Sequence, residues 1–439
     1  MTDRFQNVLR QAGLKTAGLL LLAQSAAMAT AAFAQALPAA EASPISTGFT
    51  LPRAAGSLQY AVSAGESLTW GYYGNSGPSS GTLLDGDLAY LSGAKNDPFS
   101  LVFSGGHSWT TSNEPAYSFL NLALSQVVRA GKWTFVIADS VNYLPETAAT
   151  GLSGIPGAGD LGVQPVQIGV DLGQGVLTDY STRVSNSSTA GLQLALTAKT
   201  SISVSGTYTI LRFVDDPSGV GLDSDQEAGG GGLSHRINPR NTWGINYSYS
   251  NFTYGGAEPG FTSQTAAGVY THLFTRKFGI SASAGPQWTE IGSSSGTQSV
   301  TAFVDVGATY TGEFSNAVVF YTRGTNSGYG VIGGSLSDSV VGTASKTFKR
   351  VWAGAVTAAY TQTASLPAAN VIPYSFHTKV GGAQIARAIA HNLSAFASYT
   401  VEDQAHENAQ TIANAFDGFA QIVAFGVTYS PTAIQFGHP

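Results

Sequence analysis

The chain has no cysteine in its 439 residues. Disulfides, thiolate nucleophiles and Cys-based metal centres are therefore excluded together. Charge is also scarce. Asp, Glu, Lys and Arg make up 10 % of the chain, against about 25 % in ordinary soluble domains. Long apolar runs are missing as well. Beyond Ala34 no stretch reaches the roughly 18 apolar residues that a membrane helix needs. A basic surplus is absent, and with it the electrostatic footprint of a nucleic-acid partner. What the chain does have is 53 glycines and 11 % aromatic residues. With so little charge and no spanning helix, that composition points to β-structure with one face in lipid.

The first 34 residues read differently from the rest. Arg4, Arg10 and Lys15 give a positive start, and Ala17 to Ala29 is a short apolar run. Ala32-Phe33-Ala34 then supplies the small-residue cleavage pattern of a secretory signal peptide. Removing these residues, Asp3 included, lowers the 20 basic and 26 acidic groups to 17 and 25, a formal charge of −8. The organisation read from the sequence is a signal peptide over 1–34, a short segment over 35–56, a barrel over 57–431 and a tail over 432–439.

The central signal is period two. In 242–250, Trp243, Ile245, Tyr247 and Tyr249 alternate with Thr242, Gly244, Asn246, Ser248 and Ser250. In 201–210, Ile202, Val204, Tyr208 and Ile210 alternate with Ser201, Ser203, Ser205, Thr207 and Thr209. Successive strand side chains point to opposite faces, so each segment has a greasy face and a small, polar one. A membrane barrel puts the greasy face outward and a wet lumen inside.

Short turns recur at Arg129-Ala130-Gly131-Lys132, Ala198-Lys199-Thr200, Asn238-Pro239-Arg240, Arg276-Lys277, Gly312-Glu313-Phe314 and Lys349-Arg350. Longer Gly/Ser/Asn/Asp-rich connections lie between them, such as Asp215 to Asp225, Gly255 to Gly260 and Thr325 to Gly334. The short turns are mostly basic, and the long loops carry the acids. Short and long connections alternate in outer-membrane barrels, the short ones periplasmic. Trp133, Trp243 and Trp352 follow short turns, and Trp70, Trp109 and Trp288 precede long loops. They form two aromatic belts at the two membrane interfaces.

Candidate strands number 18, from 58–73 to 419–430, with 16 an acceptable count. The fold class is all-β, a single antiparallel up-and-down transmembrane barrel. An even count returns the C-terminus to the periplasmic side. A barrel this wide leaves an aqueous channel unless something plugs it. The loop over 147–179 is the longest non-alternating stretch. It is read either as a surface loop or as a segment folding into the lumen. Gln404 to Phe416 has a helical look.

The last strand, Ile422-Val423-Ala424-Phe425-Gly426-Val427-Thr428-Tyr429-Ser430, resembles the closing strand that barrel-assembly machinery recognises. Nine residues, Pro431 to Pro439, follow it. The whole chain after the signal peptide resembles Gram-negative outer-membrane β-barrels. Gly151 to Gly162, Gly221 to Gln226 and Ser283 to Trp288 are similar to segments of an uncharacterised family of such barrels. The resemblance implies a fold and a membrane, but no activity and no functional residues.

Motifs for chemistry are weak. Gly157-Ala158-Gly159-Asp160-Leu161-Gly162 fits G-x-G-x-x-G, but it lacks the strand before and the helix after that would bring a pyrophosphate to a helix N-terminus. Gly292-Ser293-Ser294-Ser295-Gly296 fits G-x-S-x-G in a Ser/Gly loop with no partner constellation. Asp223, Asp225 and Glu227, with Asp215 and Asp216 nearby, offer hard oxygens for Ca²⁺, with a solvated acidic loop as the plainer reading. The seven histidines form no metal-binding spacing. Asp305 falls on a polar face at mid-strand, where a charge belongs toward water. Asp87, Asp139, Arg183, Arg323 and Lys379 are further lumen candidates, with a charge near a strand end as the alternative. No catalytic residue and no cofactor are expected.

The function read from these features is a passive porin-type channel for small hydrophilic solutes. Its partners are outer-membrane lipid and the assembly machinery. The alternative is a non-channel barrel for envelope lipid or polysaccharide export or for surface adhesion. A soluble propeller would need four short strands per 40-residue interval, where the pattern gives two long ones.

Overall fold

The computed structural model describes residues 56–71, 77–92, 97–110, 116–146, 176, 181–215, 221–256, 258–292, 298–328, 330–348, 351–366, 375–407, 416–432 and 434–436. The signal peptide, the 35–55 segment, the 157–162 glycine motif, residues 293–296 of the other glycine motif and nearly all of the 147–179 loop lie outside them.

Eighteen long strands follow one another: β1 Ser57–Trp70, β2 Ser79–Leu91, β3 Phe99–Thr110, β4 Tyr117–Ala130, β5 Trp133–Glu146, β6 Ser181–Ala195, β7 Thr200–Asp215, β8 Ser224–Asn238, β9 Asn241–Tyr254, β10 Phe261–Leu273, β11 Phe278–Ile291, β12 Gln298–Thr311, β13 Ser315–Asn326, β14 Ser335–Phe348, β15 Trp352–Ser365, β16 Ser375–Ala390, β17 Leu393–Glu407 and β18 Gly418–Tyr429. A two-residue strand, β19 Ile434–Gln435, comes last. Each strand pairs antiparallel with the next, and β1 pairs with β18. That last pairing closes the sheet into a barrel and removes its edges.

The alternation explains why these segments pair as they do. Val204, Ile245, Val300, Val356 and Phe425 are among the most exposed large side chains. Ser63, Ser250, Thr289, Thr363 and Thr400 are almost fully buried on the opposite strand faces. Directly paired residues share a face, so register carries this phase around the wall. The greasy face is the outer one, and the inner face is small and polar. Among the described residues no helix is long and apolar enough to cross a membrane.

Short turns occupy one end. Gly131, at φ 62°, turns β4 into β5 in the left-handed region that glycine enters without strain. Asn238 Oδ1 accepts the N–H groups of Arg240 and Asn241 and shapes the β8–β9 turn. At the closing seam, a Cβ on Gly426 would press into the backbone of Ala64 and Gly65. Glycine there lets β18 and β1 meet.

Two expectations change. The sequence pattern predicts a tail beyond the barrel over 432–439. Instead Ile434 and Gln435 pair with Leu58 and Ser57, and the Phe436 N–H donates to the Gly56 carbonyl. The chain therefore continues along β1 past Tyr429. Between the Val62–Tyr429 and Leu58–Ile434 pairs the closing chain has one residue more than β1. That is the count of a β-bulge. Pro431, which has no N–H for the ladder, lies within it. The bulge shifts the phase, so Ile434 and Phe436 are exposed as Tyr429 is. The second change is at Gln404, which begins no helix. Gln404–Glu407 is the end of β17, and 408–415 lies outside the described residues.

Candidate functional site: the lumen wall and the long-loop mouth

Register assigns each candidate charge to a face. Asp305 pairs with Thr322 and Ser283, Ser283 being buried on the inner face. Asp87 and Arg183 also lie on the inner face, 5 % and 6 % exposed. Two inner carboxylates were missed, Asp85 on β2 and Glu402 on β17. Asp85 was legible, since it sits two residues from Asp87 and must share its face. Glu402 stands beside Asp403, and only the pairing tells which of the two turns inward. Asp85, Asp87, Arg183 and Glu402 are all engaged by other groups.

Three expected lumen residues point outward instead. Asp139 shares the face of Phe135 and Ile137, both exposed. Its carboxylate accepts Asn186 Nδ2 at 3.0 Å and the Ser188 hydroxyl. Arg323 pairs with Val304 and Asp338 on the outer face. Its guanidinium donates to both Asp338 oxygens at 2.9 and 2.8 Å, and Tyr321 donates to the same carboxylate at 2.6 Å. Lys379 forms an outer-face ion pair with Asp403 at 2.8 Å.

The acidic loop expected to suit Ca²⁺ repeats the Arg323 arrangement. Arg212 takes both Asp225 oxygens, at 2.7 and 2.8 Å, and Tyr208 adds a third bond. Asp223 accepts the Phe213 N–H at 2.8 Å. Glu227 is exposed on the Asp225 face. Among the described residues no group of three acidic or histidine side chains converges as a metal would need. These outer-face charges are matched strand to strand. Pairing lowers the cost of placing charge on an outer wall that is otherwise apolar.

The tryptophans sort by end. Trp133, Trp243 and Trp352 stand at the short-turn end on the outer face, and Trp70, Trp109 and Trp288 stand nearer the long loops on that same face.

The mouth at the long-loop end holds the largest feature the sequence did not reveal. Of the β13–β14 connection, Ser327, Gly328 and Gly330 to Gly334 are described, and they fold inward instead of standing off the rim. The Gly330 carbonyl accepts the Leu222 N–H at 2.8 Å, and the Tyr254 hydroxyl donates to the Ser327 carbonyl at 2.8 Å. Leu222 adjoins β8, five strands from β13 in the sheet order. At about 4.8 Å per strand that is more than 20 Å of wall, so the contact spans part of the opening. Beneath it, Ile332 packs with Phe376 of β16 and Val176, the one described residue of the 147–179 loop. Phe252, Phe261, Ile291 and Leu366 form an apolar layer beside it, with Tyr254 and Leu336 against them.

Its backbone needs glycine. Gly328, Gly330 and Gly334 have φ of 79°, 78° and 87°. A Cβ on Gly330 would enter the Phe213 ring, and one on Gly334 the Phe261 ring. The signal was present as glycine density in Gly324 to Gly334. It said turn, without saying inward.

No protein-family model matches this chain, and no curated protein matches it. Solved barrels are similar in outline. OpdQ of Pseudomonas aeruginosa is 9 % identical, with 86 % of this chain and 98 % of that one covered, at a TM-score of 0.41. OccK5 (OpdH) of the same organism is 12 % identical, with 86 % and 98 % covered, at 0.42. A BenF-like porin from Pseudomonas fluorescens Pf-5 is 10 % identical, with 85 % and 99 % covered, at 0.41. The barrel of this chain is defined by its own strand pairing.

Proposed function

We propose that this chain is an outer-membrane channel of porin type that passes small hydrophilic solutes passively. The observation that carries the reading is the closed 18-strand wall, greasy outside and polar inside. A wall with that distribution suits a bilayer outside and water within. The short basic turns then face the periplasm and the long loops the exterior. The N-terminal segment is the export signal, and outer-membrane lipid and the assembly machinery are the partners. Chemistry is not part of this reading, because no nucleophile–base constellation was found in the sequence.

Charge on the inner face refines the solute class. Among the described residues, Asp85, Asp87, Asp305 and Glu402 outnumber Arg183 along the middle and upper inner wall, with Arg129 and Arg236 on that face near the short turns. An acidic lumen concentrates cations and disfavours anions. The test is single-channel recording of the purified, folded barrel in planar bilayers under a salt gradient. Discrete conductance with a cation-favouring reversal potential is expected. A folded barrel that stays electrically silent overturns the channel reading.

One observation favours the alternative of a non-channel barrel for envelope export or adhesion. Part of the mouth is spanned by the β13–β14 connection, whose Val331 and Ile332 pack on Phe376 and Val176. Such a barrel would remain silent even with that segment removed.

A further inference from the structure

We infer that Asp305 is the point on the inner wall that binds the protonated amine of a solute. The inference rests on the channel reading and names the chemical group such a channel would select.

Asp305 stands midway along β12 and is half-buried on the inner face. It differs from the other inner carboxylates. Asp85, Asp87 and Glu402 are engaged by other groups. Among the described residues, none donates a hydrogen bond to the Asp305 carboxylate or forms an ion pair with it. A carboxylate drawn partly out of water without a donor is costly. A cationic ligand offsets that cost.

The neighbours complete a niche. Ser283 of β11 and Thr322 of β13 are the direct cross-strand partners of Asp305, so both side chains share its face. Ser283 is 3 % exposed, and its hydroxyl has no hydrogen-bond partner. Gly307, the next inner position on β12, and Gly285, diagonal on β11, carry no side chain to fill the space. Phe303 is the next inner position toward the long loops, and Phe320 is diagonal on β13. Just beyond Asp305 the wall leaves its ladder. The β12–β13 pairing ends at Val304 and Arg323, and the Thr325 N–H reaches Gln287 of β11 at 3.1 Å. The end of β13 therefore crosses the inner side of β12. A Cβ on Gly324 would touch the Phe303 ring. The niche is roofed on its long-loop side and open toward the lumen at Asp305.

This set of groups selects an organic ammonium. Such a group has three N–H donors and no acceptor. The Asp305 carboxylate takes its charge, and the Ser283 and Thr322 hydroxyls offer acceptors beside it. The Phe303 and Phe320 rings suit the carbon body and favour a nearby cation. A bare Ca²⁺ wants six or more oxygen ligands. Among the described residues no group of three acidic or histidine side chains supplies them.

The test uses propylammonium as probe and 1-propanol as its uncharged counterpart. The full barrel is recorded in planar bilayers in potassium chloride, and heat-modifiable gel migration verifies that each variant is folded. Propylammonium should lower the potassium current saturably, and propanol should not. Asp305→Asn, which keeps the shape, should raise the half-blocking concentration about tenfold or more, the worth of a hydrogen bond to a charged group. Ser283→Ala should raise it roughly two- to tenfold. Asp85→Asn with Asp87→Asn removes lumen charge away from the niche and should change it by less than about twofold, since distant charges are screened. Equal block with and without Asp305→Asn overturns the niche. So does an Asp85–Asp87 effect as large as that of Asp305, because the block would then report lumen charge as a whole. Saturation-transfer NMR of propylammonium on the folded barrel in detergent reads the same binding without current. A barrel silent in bilayers overturns the channel reading. Binding lost in Asp305→Asn supports the niche even then, and binding unchanged by that substitution overturns it.

Discussion

The connections at β8–β9 and β13–β14 do the same topological job by opposite means. Asn238 to Asn241 reverses the chain with two intervening residues and a side-chain amide that satisfies the turn. Nothing projects from it over the lumen. Ser327 to Gly334 spends eight residues, with three glycines at positive φ, and lays Ile332 over the inner wall. The difference shows how a uniform meander acquires function. The ladder fixes where strands go, and the length and glycine content of a connection fix whether it merely returns or covers the opening.

Phe376 offers the hardest blow to that contrast. It is fully buried and seats Ile332. Phe376→Ala should cost about 3–5 kcal/mol through lost burial and a cavity, measured by denaturant unfolding, and it should leave the covering segment unseated. An unchanged midpoint would show that the segment lies loosely on the wall.

Next in size is the outer-face triad below that connection. Arg323→Met leaves the Asp338 carboxylate with Tyr321 alone at the edge of the apolar outer band. A loss of about 1–2 kcal/mol is expected, between the values for exposed and for buried pairs. Arg323→Met with Asp338→Leu should recover most of it, since an apolar pair suits that face. Failure to recover would show the triad to be needed for more than neutralisation.

Asn238→Ala tests the plain turn. It removes two side-chain to backbone bonds in an exposed position and should cost about 0.5–1 kcal/mol. Conductance should not change. A change would erase the functional distinction between the two ends.

The smallest effect concerns the lumen between them. Asp85→Asn with Asp87→Asn should reduce the cation-to-anion permeability ratio roughly twofold, since several other inner charges remain. It is read as a shift of reversal potential toward zero. A shift away from zero would place the selectivity elsewhere.

Strand existence, number and order were legible because a half-buried strand repeats every two residues and the chain states that repeat eighteen times. Phase was legible where large residues mark one face. Counting from Trp133, Phe135 and Ile137 already puts Asp139 on the outer side. Arg323 was harder. Val318, Val319, Phe320 and Tyr321 are large on both faces, so only pairing with β12 and β14 decides. Lys379 follows the same logic, with Val380, Gly381 and Gly382 giving no contrast.

The sequence by itself determined a wall: its periodicity, its turns and the faces of most strands, all set by neighbours one or two residues apart. The tertiary structure alone decided three things. It continued the closing strand through a bulge to Phe436, because β1 offered unpaired backbone there. It chose the faces of Arg323, Lys379 and Glu402, because register is a property of two strands. And it folded Ser327 to Gly334 over the mouth, because that outcome depends on apolar partners from β7, β9, β10 and β16 that lie far away in the chain and meet only when the barrel closes.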